Sequence, residues 1–441
     1  MIDALGDDVP RWDPFADLTG RTLVVMDVDV GVGRRRRPSR AAEAAAALAD
    51  VAGVAVVASD DVADDEAGLL EAEESGGLLL TELGIAVVPA DPDQTQALRA
   101  SVADAGSAVM HVEAERWAYP ANDFLAGYRH GVTNLLDSLQ AARPSLVAPM
   151  AGVQAAWTDD SVSTWGLKAT GALGSRFTGR GCRVSVLDTG IDLAHPDMAA
   201  QIGASRSFVP DETVDDGHGH GTHCAGTVAG SSTPVAGPRY GVAPEAELHI
   251  GKVLSNQGRG RDGWILAGIE WAILGDCHVI SMSLGSRTSP TDPPSTAYER
   301  AASRALERGT IIVAAAGNDS SRRFGRISAV SRPANSPSIF AVGALDAMEQ
   351  VANFSNGTVA PGDGVDIAGP GVDVLSAAPG GGTRRLSGTS MATPHTAGIA
   401  ALIHDQGVSS AADLAMRLLV GARRLPAASG DVGTGVVTAR R

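Results

Sequence analysis

Three separate strings in this chain carry the side chains best able to do chemistry. In RVSVLDTGID, Asp188 follows a β-branched run and so falls at the carboxyl end of an expected strand, where open α/β sheets collect functional groups. In residues 217–230 (GHGHGTHCAGTVAG), His220 stands between glycines, ahead of a small-residue helical segment that can pack closely on a neighbour. In residues 387–395 (SGTSMATPH), Ser390 feeds a run of Ala, Gly and Ile suited to a buried helix. A hydroxyl, an imidazole and a carboxylate are the set that nucleophilic catalysis uses: the imidazole takes the proton of the attacking hydroxyl and the carboxylate orients the imidazole.

Each group also has a plainer reading. Asp188 can cap a turn, and a serine at a helix N-terminus is usually a cap. His218, His220 and His223, two and three residues apart, invite a zinc reading, although the chain has no HExxH pattern. The helix position of Ser390 would equally favour an attacking oxygen through the helix dipole. A fourth string, residues 310–318 (TIIVAAAGN), ends a buried strand in Gly317 and Asn318, whose amide can donate to a developing oxyanion or serve a turn. The chain order Asp, His, Ser joins the strings into one catalytic set.

The elements that must position these residues follow from periodicity. Strand-like and helix-like runs alternate at 183–187, 248–253, 264–274, 279–282, 301–308, 311–315 and 338–342, which predicts a doubly wound, mostly parallel sheet with helices on both faces. Ahead of it, strands at 21–28, 54–58, 84–88 and 108–112 with helices at 41–49 and 93–105 suggest a small ferredoxin-like α+β unit. The expected organisation is a flexible lead-in (1–20), the small unit (21–119), a helical linker (120–155) and the large domain (156–441). Within the linker, 124–141 has the spacing of an amphipathic helix, and the Pro- and Ala-rich stretch 141–151 is of the kind that proteases cut.

Charge divides the chain at the same place. Residues 1–150 hold 25 acidic residues against 11 arginines, while the whole 441-residue chain carries −16, so the large domain is nearly neutral. Such acidity argues against nucleic acid or an anionic membrane as partner. No basic n-region with an apolar h-region opens the chain and no run of eighteen apolar residues occurs, so a cytoplasmic setting is expected unless export uses another route. Three cysteines, Cys182, Cys224 and Cys277, cannot all pair among themselves, which suits a reducing compartment.

From about residue 158 onward the strings DTGIDLAHPD, HGTHCAGTVAG, GVAP, VAAAGN, SPSIFAVGALD and GTSMATPH together make the chain resemble the subtilase family of serine peptidases, with some proteinase K-like features. The resemblance implies an endopeptidase working through an acyl-enzyme, with no cofactor for catalysis: Ser390 attacks, His220 is the base, Asp188 orients it, and Asn318 joins the Ser390 backbone N–H in an oxyanion hole. It implies that Ser283, Leu284 and Gly285 pair with an extended polypeptide substrate and that Ala315 and Gly317 form the facing wall. Ser331, beside Arg332, stands where relatives often have glycine at the pocket floor, which narrows or polarises that pocket. Cys224 is placed near the base, and Asp197 matches a recurrent calcium ligand, although the loop 231–239 lacks the usual asparagines. The N-terminal unit would be an intramolecular inhibitor of a latent precursor, with Trp117, Ala118 and Tyr119 near the non-primed side of the cleft. Because Pro120 follows Tyr119, processing is expected later, between about 141 and 154.

Overall fold

The computed structural model describes residues 17–27, 38–62, 68, 71–72, 76–104, 106–121, 157–359, 364–408 and 410–439. In the N-terminal unit the order is β1 (Leu18–Met26), α1 (Pro38–Ala52), β2 (Val56–Ala58), β3 (Gly77–Leu80), β4 (Ile85–Val88), α2 (Pro92–Ser101) and β5 (Val109–Pro120). The larger domain continues with β6 (Arg183–Asp188), β7 (Ile202–Ser207), α3 (His220–Ala229), β8 (Glu247–Lys252), β9 (Gly260–Arg261) and α4 (Asp262–Leu274). Next come β10 (Val279–Met282), β11 (Leu284–Gly285), α5 (Thr296–Glu307), β12 (Ile311–Ala315), β13 (Phe340–Leu345), β14 (Ile367–Pro370), the hairpin β15 (Val374–Ala378) and β16 (Gly382–Leu386), α6 (Thr389–His404) and α7 (Ala411–Gly421).

The large sheet runs β14-β13-β12-β10-β6-β8-β7, with every neighbour parallel. Its central strands are short apolar runs such as Ile311–Ala315, buried on both faces as a parallel sheet requires, while the edge strand β7 (IGASRS) is only partly buried. Alternate residues separate the two cores. Val184, Val186 and Val279 pack with α3 and α6, while Leu187, Ile280 and Met282 pack with α4 and α5. The order reverses beside β6, because β8 and β7 extend on one side and β10 to β14 on the other. That switch point opens a crevice at the carboxyl end of β6, where Asp188 is the last strand residue.

The N-terminal sheet has the order β5-β1-β4-β3-β2, antiparallel except for β2 beside β3. Two features differ from the sequence reading. The hairpin partner of β4 is β3 (GLLL), and the expected second strand at 54–58 is an edge strand next to it. A run of leucines has no two-residue alternation to mark it as a strand, since all four residues are buried. β5 also runs on to Pro120, well past residue 112, because beyond the sheet it acquires new partners, β9 and β11, in the larger domain. The expected helix at 124–141 and the stretch 141–151 lie outside the described residues.

Candidate active site

Glycines let the histidine segment approach β6. A Cβ at Gly221 would lie 2.2 Å from Gly190 O, so α3 starts closer to the strand end than any side chain allows. Gly219, at φ 87°, turns the chain into the helix, and His220 is its first residue. The fully buried His220 Nδ1–H donates to Asp188 Oδ1 at 2.7 Å, and the Thr189 N–H donates to the same oxygen at 2.8 Å.

The sequence reading missed the residue that holds this arrangement. The carboxylate of Asp216 accepts from the N–H groups of Gly219 (2.6 Å) and Thr222 (2.8 Å) and from the hydroxyls of Thr189 (2.8 Å) and Thr222 (2.7 Å). It ties the β6 loop to the first turn of α3 and places a negative charge at that helix N-terminus. The signal was available: an aspartate four residues before His220, in a glycine-rich approach to a helix. Lys252, one of the chain's two lysines, is buried and donates to Asn256 Oδ1 at 2.9 Å, with Glu212 at 3.2 Å.

Ser390 is the second residue of α6, whose entire first turn is buried. Its Oγ donates to Ser283 O at 3.0 Å, so in this structure the hydroxyl faces β10–β11 and not His220. Ser283 Oγ donates back to Ser390 O at 2.8 Å. Hydrogen bonds between catalytic groups are often long or absent before a substrate is engaged. Cys224 Sγ lies 3.9 Å from His220 Nδ1 and 3.6 Å from Ser390 O. Burial holds its thiol well above the usual range, so it stays protonated and packs as a small apolar group.

Asn318 is fixed by its oxygen. Asn318 Oδ1 accepts from the N–H and Oγ1 of Thr389, at 2.9 and 3.0 Å, which turns Nδ2 outward. There Nδ2 donates to the carbonyl of Ala121, the residue after β5. The Ala121 N–H donates to Ser283 O at 3.0 Å, while Leu284 faces Pro120 and Gly285 faces Tyr119 in an antiparallel ladder. On its other edge the same strand pairs Trp117 with Arg261 and Ala118 with Gly260. The end of β5 therefore lies between β9 and β11 as an added strand, its last carbonyl on the Asn318 amide.

Gly317, at φ 105°, abuts the residue expected at the pocket floor: a Cβ there would lie 2.2 Å from Ser331 Oγ. Asn356, which the sequence reading passed over, donates from Nδ2 to Ser331 Oγ at 3.4 Å and to Ala329 O at 2.9 Å. Arg332 turns away from this floor, donating to Asp262 Oδ2 at 3.0 Å beneath the Tyr298 ring. Ala315 is fully buried at the end of β12.

The expected metal readings fare differently. His218, His220 and His223 do not converge: His223 Nε2 bonds Val374 O at 3.0 Å, and burial together with His220 lowers its pKa to about 3. At Asp197 the carboxylate accepts from Val235 N–H (2.8 Å) and Tyr240 O–H (2.6 Å). Both carboxylate oxygens are already taken by an N–H and an O–H donor, an arrangement that does not fit a calcium ligand set. Among the described residues the metal-capable groupings are Asp188–His220–Cys224 and Cys182–His278–His404. In the second, His278 Nδ1 already accepts the Arg183 N–H at 3.0 Å, which leaves the proton on Nε2.

Comparison with known sequences gives the class. Residues 179–427 match the subtilase family model, described as peptidase family S8, and the chain belongs to that family. It is 44% identical over 239 residues to subtilisin E of Bacillus subtilis, covering 54% of this chain and 59% of that protein. It is also 44% identical over 239 residues to subtilisin of Bacillus pumilus, covering 82% of that protein, and 44% identical over 249 residues to subtilisin BL of Lederbergia lenta, covering 85%.

Proposed function

We propose that this chain is a serine endopeptidase whose N-terminal unit is an intramolecular inhibitor bound in the manner of a substrate. The observation that carries the reading is the seating of Ala121: its carbonyl on Asn318 Nδ2 and its N–H on Ser283 O, at the end of a strand paired on both edges. Adding a strand to an exposed edge is a general way to hold an extended polypeptide. In this reading Ser390 Oγ attacks the carbonyl carbon and its proton passes to His220, which Asp188 holds in the right tautomer. The oxyanion takes bonds from Asn318 Nδ2 and the Ser390 N–H. His220 then protonates the leaving amine, and water releases the acyl group. All these groups are residues of this chain, and no bound cofactor enters a step.

The order β5-β1-β4-β3 supports reading residues 17–121 as a ferredoxin-like prodomain. The same seating favours Ala121–Asn122 as the first bond cut, earlier than the expectation of 141–154, which lies outside the described residues. Pro120 then stands on the carbonyl side of the cut, one residue before Ala121, and no longer opposes it. Mass spectrometry of the wild type and of Ser390→Ala tests this. Wild type should separate after Ala121 and Ser390→Ala should remain whole; intact wild type that cleaves no denatured protein would sink the proposal. A reducing, intracellular setting stays part of the proposal on the three buried, unpaired cysteines, with cell fractionation as its test. No helix among the described residues is long and apolar enough to cross a membrane.

A further inference from the structure

The last residues of β5 carry two aromatic side chains on one face and small residues on the other. Trp117 and Tyr119 alternate with Ala118 and Pro120, which are buried. Facing the aromatic side, β9 presents a matching alternation. Arg259 and Arg261 flank Gly260, which has no room for a side chain, because a Cβ there would lie 2.3 Å from Val253 O. The guanidinium of Arg259 lies 4.4 Å from the centre of the Trp117 ring and 6.0 Å from that of Tyr119. Arg261 lies 5.9 Å from Trp117 and 4.4 Å from the Trp264 ring. Trp264 meets Trp117 edge to face, with centroids 6.3 Å apart and planes at 81°. The sequence of groups is therefore cation, ring, cation, ring, with only the first ring belonging to the N-terminal unit.

We propose that Arg259, Arg261 and Trp264 form a subsite that selects an aromatic side chain five residues before the cleaved bond, with Arg259 also favouring an aromatic three residues before it. The inference rests on the endopeptidase reading and adds a substrate class to it. The physical argument is one of register. The ladder to β9 and β11 sets which residues of an incoming strand reach Arg259, and any polypeptide whose carbonyl sits on Asn318 presents its fifth upstream side chain there. A cation over an indole face is attractive where water is partly excluded, and a perpendicular tryptophan adds to it. When the N-terminal unit departs, both arginines and Trp264 stay on the groove, because Arg261 belongs to β9, Arg259 to the turn just before it, and Trp264 to α4 of the larger domain. The chemistry favoured is aromatic, small, aromatic, Pro, small, ending at the cleaved bond.

Chromogenic anilides of Trp-Ala-Tyr-Pro-Ala and Ala-Ala-Tyr-Pro-Ala, hydrolysed by the self-processed product of the full chain, test it. The tryptophan peptide should have a kcat/KM roughly 3- to 10-fold higher, the size expected of a cation–π contact. In Arg259→Ala/Arg261→Ala the ratio should fall to within about twofold of unity by the same reasoning. Arg259→Gln and Arg261→Gln, made singly, give the same reading if the double variant does not accumulate. Equal hydrolysis of both peptides by wild type would overturn the subsite and leave the endopeptidase standing, with the arginine cluster serving only to dock the chain's own N-terminal unit. A preference that survives in the variants would also overturn it. Hydrolysis of neither peptide, nor of any denatured protein, would instead remove the endopeptidase reading and the subsite with it.

Discussion

The parallel sheet of the larger domain is covered on both faces by its own helices, whereas the N-terminal sheet owns a cover for only one. Val24, Met26, Leu79 and Val88 pack under α1 and α2. Leu23, Val25, Leu78, Leu80, Ile85 and Val87 instead share a core with Leu266, Ile269 and Ala301 of α4 and α5. At about 1.5–3 kcal/mol for each such side chain buried, separating the two would expose a face worth on the order of 10 kcal/mol. The junction is also polar at its margins, and here the two regions complete one another. Glu113 accepts from the Ala297 N–H in the first turn of α5 (2.9 Å), and Glu115 accepts from the Gly263 N–H in the first turn of α4 (2.9 Å). Carboxylates at helix N-termini satisfy donors that no helix can satisfy itself. The difference between the regions teaches that the larger domain carries a self-sufficient chemical site, while the N-terminal unit is complete only against that domain.

Removing the chemistry without disturbing the junction breaks the comparison most sharply. Ser390→Ala should lower kcat by on the order of 10⁶, a magnitude that comes from a subtilisin, and should leave the chain uncut with its N-terminal unit in place. Steady-state kinetics and size-exclusion chromatography read the two halves of that expectation. Asn318→Ala removes the donor on which Ala121 is seated and should cost roughly 100- to 1000-fold in kcat, again a subtilisin figure, with little change in KM. An equal loss divided between kcat and KM would place Asn318 in ground-state binding instead.

Asp216→Ala tests the larger domain's self-sufficiency. It strips partners from two hydroxyls (Thr189 and Thr222) and three N–H groups (His218, Gly219 and Thr222) around His220, so a stability loss of about 2–4 kcal/mol is expected by denaturant titration, together with reduced kcat. A variant as stable as wild type would show that the first turn of α3 is held by glycine packing alone.

The smallest effect concerns the junction and pH. Burial pushes the Glu270 carboxyl up from 4.5 to about 7, although Ser59 and the Glu82 N–H hydrogen-bond to it. A carboxyl raised in the folded state is protonated in both states below about 4.5, and its contribution to stability is lost as pH rises through about 7. In a Ser390→Ala background, which keeps the chain whole, the melting midpoint should therefore fall across that window. Glu270→Gln should flatten this fall, removing a pH-linked loss of about 3 kcal/mol at the upper end. An unchanged pH profile in the variant would assign the dependence to another group.

Much of the large domain was legible because parallel strands buried on both faces leave unbroken apolar runs. The strand at Val279–Met282 coincides with its expected range, and Ile311–Ala315 does likewise. The strand at 77–80 was not legible, since its four apolar residues carry no alternation, and the extension of β5 to Pro120 was not, since its partners lie more than 130 residues away.

By itself the sequence singled out Asp188, His220, Ser390 and Asn318 as the candidates for the chemistry, together with the glycines beside them, because they stand in local strings whose residue types leave few alternatives. The tertiary structure alone decided the register of residues 117–121, the seating of Ala121 on Asn318, the capping role of Asp216 and the turning of Arg332 away from the Ser331 floor. The physical reason is that register, capping across a loop and the choice of an ion-pair partner are set by contacts between segments distant in the chain, which no local periodicity encodes.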